Sequence, residues 1–90
     1  MHEVEFKVHR RWAAHEADLA VMLSRIVTKR DEEGIPFTKQ DGYKWNLCGH
    51  NDWKMDFNPS TLIVTLAYRY ADGRPGMLEG MVPFLEFMFG

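Results

Sequence analysis

Apolar and polar residues alternate with a period of two in four separate stretches of this chain, and nothing else in the sequence constrains its fold as tightly. Val4, Phe6 and Val8 make the first row, and Tyr43, Trp45 and Leu47 the second. Trp53, Met55 and Phe57 make the third, and Leu62, Val64, Leu66, Tyr68 and Tyr70 the fourth. Successive side chains of a strand point to opposite faces, so each row is one side of a half-buried strand. The predicted strands are 3–9, 43–48, 53–57 and 61–70.

Between the first two rows the spacing changes to that of a helix. Over residues 11–30, Trp12, Leu19, Leu23, Ile26 and Val27 share one side, flanked by Ala13, Ala17, Ala20 and Met22. Asp18, Arg25, Thr28 and Lys29 share the other. Gly34 follows as a stop signal. Glu16 is the misfit, projecting near the middle of the apolar side, and is read as an edge-of-core carboxylate favoured by the helix dipole. His15 borders the same stripe and is read as a packing residue.

Residues 31–42 read as a long connection pinned to the body by Ile35 and Phe37. Gly49-His50-Asn51-Asp52 reads as a hairpin turn, Asn58-Pro59-Ser60 as a second turn, and residues 71–76 as a third. The tail 77–90 is apolar apart from Glu79 and Glu86, with Pro83 inside it. Because proline suits the first turn of a helix and not its interior, a short helix beginning near Val82 is expected. The order β-α-β-β-β-(α) makes an α+β two-layer sandwich: a mainly antiparallel sheet with one long helix on its apolar face. Strand one is expected in the same sheet, where its helical connection permits parallel pairing with a meander strand.

Ninety residues suffice for a single domain with a core that needs no metal or disulfide. A formal charge of −2 provides no general basic field for phosphate backbones. The lone cysteine, Cys48, cannot form an internal disulfide, and the N-terminal segment has no apolar signal region, so a cytoplasmic protein is expected. The apolar tail is broken by Glu79, Pro83 and Glu86 and is too short to span a bilayer.

No motif with a specific mechanism appears. Cys48-x-His50 supplies two metal ligands where a structural zinc site needs four, and neither that pair nor Ser24 or Ser60 sits in a nucleophile context. No glycine-rich phosphate loop is present, and no cofactor, metal or catalytic residue is assigned.

Two topological resemblances bear on a nucleic-acid role. The helix–three-strand–helix order is similar to that of double-stranded RNA-binding domains, but the second helix begins Met77-Leu78-Glu79 without their phosphate-holding lysines. The strand–helix–three-strand order, with Tyr43-Lys44 through Arg69, loosely resembles small bacterial toxins that cleave ribosome-bound mRNA. That likeness implies Lys54, Arg69 and Tyr70 as positions to test. Those toxins are strongly basic and this chain is not. A nucleic-acid surface would draw on Arg10, Arg11, Lys44, Lys54 and Arg69.

The tail points elsewhere. Phe84, Leu85, Phe87, Met88 and Phe89 crowd the last seven residues, and a short segment can turn only about half of them inward. Large exposed apolar side chains of these types anchor protein interfaces. The expected function is therefore a small non-catalytic protein-binding module, of the inhibitor, adaptor or subunit kind found among phage and mobile-element proteins. It would dimerise through its C-terminal segment and contact partners through Phe84, Phe87, Met88 and Phe89, with Trp53 and Trp12 as exposed anchors.

Overall fold

The computed structural model describes residues 2–28, 37–39, 42, 44–47, 53–69 and 76–90. Five strands form one antiparallel sheet: β1 (His2–Lys7), β2 (Phe37–Lys39), β3 (Lys44–Leu47), β4 (Trp53–Asn58) and β5 (Ile63–Tyr68). A 3₁₀ segment (Arg10–Ala14) and helix α1 (Glu16–Thr28) connect β1 to β2, and helix α2 (Met77–Phe89) follows β5. The strand order is β1-β5-β4-β3-β2. Ile35, Tyr43, Cys48, the 49–52 turn, Tyr70 and most of the turn before Gly76 lie outside the described residues.

The alternating rows become continuous apolar lines across the sheet. Val4 pairs with Leu66, Leu66 with Met55 and Met55 with Trp45; Phe6 pairs with Val64, and Val64 with Phe57. All of these are buried, whereas Glu3, Glu5, Lys7, Lys44 and Lys54 on the other face are exposed. A one-residue slip would exchange the two faces, so the pattern fixes the register. Both helices cover the apolar face: Leu19, Ala20 and Leu23 from α1 and Leu78, Leu85 and Phe89 from α2 join one core with the strand residues.

The structure corrects several expectations. β1 pairs antiparallel with β5, not in parallel with a meander strand. The helical connection carries the chain across the whole sheet, so β1 and β2 run in the same direction at opposite edges, and the position beside β5 is antiparallel. The 31–42 connection contains a strand, β2, whose Lys39 reaches Glu16 at 3.3 Å. This pairing explains Glu16: it lies at the edge of the core where a cation from the outermost strand meets it. Lys39 also lies 5.8 Å from the centre of the Trp45 ring.

The segment expected as one helix over 11–30 is broken at His15, whose backbone has φ −134° and ψ 44°. His9 caps the 3₁₀ turn, its Nδ1 accepting from the Arg11 N–H at 3.1 Å, and the His15 carbonyl accepts from Leu19 to start α1. The break takes Trp12 off the α1 stripe and points it at the end of α2. There its Nε1–H donates to the Phe89 carbonyl at 3.0 Å, and the rings of Trp12 and Phe89 meet edge to face at 5.5 Å.

β5 starts at Ile63 because Leu62 has φ 62°, a left-handed conformation that a strand does not use. The turn before it is held by Asn58, whose Oδ1 accepts from the Ser60 N–H at 2.9 Å and whose carbonyl accepts from Leu62 at 2.8 Å. The Leu62 carbonyl in turn accepts from Val8 at 2.9 Å, and its side chain packs against the core, which holds the strained residue in place.

Helix α2 begins at Met77, well before Val82, and runs through Pro83. The proline costs the Glu79 carbonyl its helical donor. Both residues are exposed, so water can serve that carbonyl, while Leu78, Leu85 and Phe89 hold the helix to the sheet on its opposite side. Gly76, at φ 82°, turns the chain into the helix.

Candidate interaction surface

Burial divides the predicted contact residues. Phe84 is 50% exposed, Phe87 84% and Met88 36%, whereas Phe89 is fully buried. Phe89 belongs to the core because it is in phase with Leu78 and Leu85, and its ring lies 6.4 Å from that of Phe6. Trp12 and Trp53 are likewise not exposed anchors, at 7% and 8% exposure. Trp12 is held under the end of α2, and Trp53 stacks on Tyr68 with ring centres 4.2 Å apart, a pairing set by their opposed positions on β4 and β5.

The remaining exposed groups form one flank of α2. Steps of about 100° per residue put Phe87 on the side opposite Leu78, with Phe84, Met77, Met88 and Met81 following around the helix from it. Gly80 lies in the same sector, and a side-chain carbon placed there would meet nothing within 4 Å. Glu79 and Glu86 occupy the other flank and are the helix's only charged residues. Glu79 hydrogen-bonds the ring of His2, at the start of edge strand β1. A backbone N–H first, and His2 second, hold the Glu79 carboxyl below its usual pKa range.

Glu79 marks the flank of α2 beside the β1 edge, and Glu16 of α1 meets Lys39 at the β2 edge. On the outward face of α1, opposite Leu19 and Leu23, lies a groove of about 730 Å³ lined by Arg11, Trp12, His15, Asp18, Val21, Met22 and Arg25. Arg11 lies 5.0 Å from the centre of the Trp12 ring, and His15 Nδ1 lies 3.6 Å from Asp18. Sequence reasoning missed this groove, because it depends on the His15 break that swings Arg11 and Trp12 beside α1.

The basic residues do not converge. Arg10 and Arg11 are on the 3₁₀ segment, Lys44 and Lys54 are on the open face of the sheet, and Arg69 follows β5. On the sheet face Lys44 pairs across strands with Asp56, and a depression of about 290 Å³ has Glu3 and Asp56 beside both lysines. Interleaved carboxylates cancel the local field that a phosphate backbone needs.

Among the described residues no group of three or more His, Cys, Asp or Glu side chains is placed to hold a metal ion, and no helix is long and apolar enough to cross a membrane. Comparison with known protein families, with curated proteins and with solved structures finds no match.

Proposed function

We propose that this chain is a non-catalytic protein-binding module that associates with itself through α2. The observation that carries the reading is the exposed apolar flank of that helix, centred on Phe84, Phe87 and Met88. A two-layer domain this small has no need to hold a phenyl ring 84% in water, and a contiguous patch of Phe and Met is the composition of interface centres. Withdrawing the exposed parts of these three side chains from water is worth on the order of 4 kcal/mol per protomer. Set against the low end of an association cost of about 4–15 kcal/mol, the combined gain of about 8 kcal/mol from two protomers leaves about 4 kcal/mol, a weak dimer in the millimolar range.

The competing class, a nucleic-acid-acting protein, is supported less well. Its candidate residues Arg10, Arg11, Lys44, Lys54 and Arg69 are divided between the 3₁₀ segment, the sheet face and the end of β5, with carboxylates among them.

Sedimentation equilibrium between about 10 µM and 1 mM tests the reading. The mass is expected to rise from 10.6 kDa toward twice that value, and Phe87→Ser is expected to hold it at the monomer. A monomer throughout the range, or association unaffected by Phe87→Ser, would overturn the proposal. Salt-sensitive retention on RNA would favour the competing class.

A further inference from the structure

We propose that two copies of α2 pack antiparallel, with Phe87 of each seated over Gly80 of the other and a two-fold axis passing between Pro83 and Phe84. The inference rests on the self-association proposed above, and it names the receiving surface and the direction of the partner helix.

Gly80 carries the inference. Glycine is among the least favourable residues inside a helix, yet Gly80 lies within α2 and is exposed. The usual reasons for a glycine are missing there. Its φ is not positive, unlike that of Gly76, and a side-chain carbon placed on it would meet nothing within 4 Å. Among the described residues, then, nothing in the chain's own fold requires this position to be bare.

A bare position on an exposed apolar helix face is a notch, where a side chain of a second helix can lie against backbone. Phe87 suits it. Seven residues on from Gly80, it falls on nearly the same line of the helix, about 10 Å further along the axis. Its ring stands 84% exposed. A knob and a notch on one line can be matched twice over only when the second helix runs the other way. Phe87 then meets Gly80 at both ends of the contact, and the half-exposed Phe84 of each copy lies beside the two-fold axis. In-register parallel pairing would set Phe87 on Phe87 and Gly80 on Gly80, crowding one end and leaving a gap at the other.

Charge agrees with shape. The last turn of α2 has no basic residue, so a parallel pair would place two negative dipole ends side by side, whereas an antiparallel pair opposes them. Glu79 and Glu86, on the other flank, stay in water in this packing.

Sedimentation over about 10 µM to 1 mM tests the geometry, with thermal melts by circular dichroism to show that each variant is folded. Gly80→Leu puts a better helix former into open space, so it is expected to melt no lower than the unaltered chain. By filling the notch it is expected to weaken self-association at least about tenfold. Gly80→Phe combined with Phe87→Ala in one chain exchanges knob and notch, and is expected to restore the dimer to within about threefold of its unaltered affinity. Association lost with Phe87→Ser but undiminished by Gly80→Leu, or not restored by the exchange, would overturn this inference and leave self-association through α2 standing. Association indifferent to Phe87→Ser, or absent from the unaltered chain, would remove both.

Discussion

Phe87 and Phe89 are two residues apart on one helix, and the structure gives their truncation opposite consequences. The Phe89 ring is fully buried between β1 and the 3₁₀ segment, 6.4 Å from Phe6 and 5.5 Å from Trp12 by ring centres. Phe89→Ala forfeits about 2 kcal/mol of apolar transfer. It also opens a cavity of roughly 80 Å³ between three elements, adding about 2 kcal/mol at ~24 cal/mol per Å³. The better helix propensity of alanine returns about 0.5 kcal/mol. The net loss of about 3–4 kcal/mol is a large part of the total expected for a domain of this size, at ~0.05–0.15 kcal/mol per residue. Phe87→Ala removes a side chain that touches little, so its effect is expected to stay within about 0.5 kcal/mol, with propensity favouring the variant. Urea unfolding followed by tryptophan fluorescence at about 1 µM, where weak association contributes nothing, reads the difference. With a slope of about 1–1.5 kcal/mol per M, Phe89→Ala should lower the midpoint by ~2–4 M and Phe87→Ala by less than ~0.5 M. Equal shifts for the two variants would refute the assignment of α2's inner and outer faces.

Other consequences are equally open to measurement. Trp12→Phe keeps an aromatic ring but removes the donor to the Phe89 carbonyl, which retains the His9 N–H at 2.7 Å, and vacates part of the buried indole's volume; a loss of about 2–3 kcal/mol in the same assay is expected. Gly76→Ala places a side-chain carbon in open space but at φ 82°, so it should cost about 1 kcal/mol through the backbone alone, measurable as a lower melting temperature. Because the Glu79 pKa is depressed on folding, its contribution is fully present above the usual carboxylate range and disappears as pH falls through the lowered value. Glu79→Gln should therefore flatten the acid limb of the stability–pH curve and leave the neutral region's slope unchanged, as seen by thermal melts across that range.

The sheet was legible because period-two alternation is a local signal with a global meaning. Val4, Phe6, Met55, Phe57, Val64 and Leu66 are all in the core where their rows put them. What escaped the sequence was decided by contacts between distant segments. Trp12 fits the stripe of Leu19 and Leu23, yet the hydrogen bond to Phe89 and the His15 break turn it elsewhere. Pro83 argued for a late helix start, but burial of Leu78 carries α2 back to Met77 on the far side of the proline. Leu62 looks like a strand residue by type and phase, and only the closure of the Asn58 turn and the Val8 hydrogen bond give it a left-handed backbone. For the contact surface, the crowding of apolar groups in the tail was visible. Which of them face out was not, since Phe87 and Phe89 are identical in type and the phase of a helix is set by what it packs on.

The pairing of β1 with β5 has a consequence for how the chain acquires its shape. Glu3 and Glu5 wait opposite Ala67 and Thr65, and Trp12 waits for a carbonyl 77 residues further on. A ribosome releases the first strand long before its neighbour exists, whereas the β4–β5 hairpin can close as soon as its own residues emerge. Joining such remote segments requires closing long loops before any contact rewards the closure, which slows the search. The earliest part of the sheet to be made is thus the last to find its place, and until then Val4 and Phe6 remain open to a wrong neighbour.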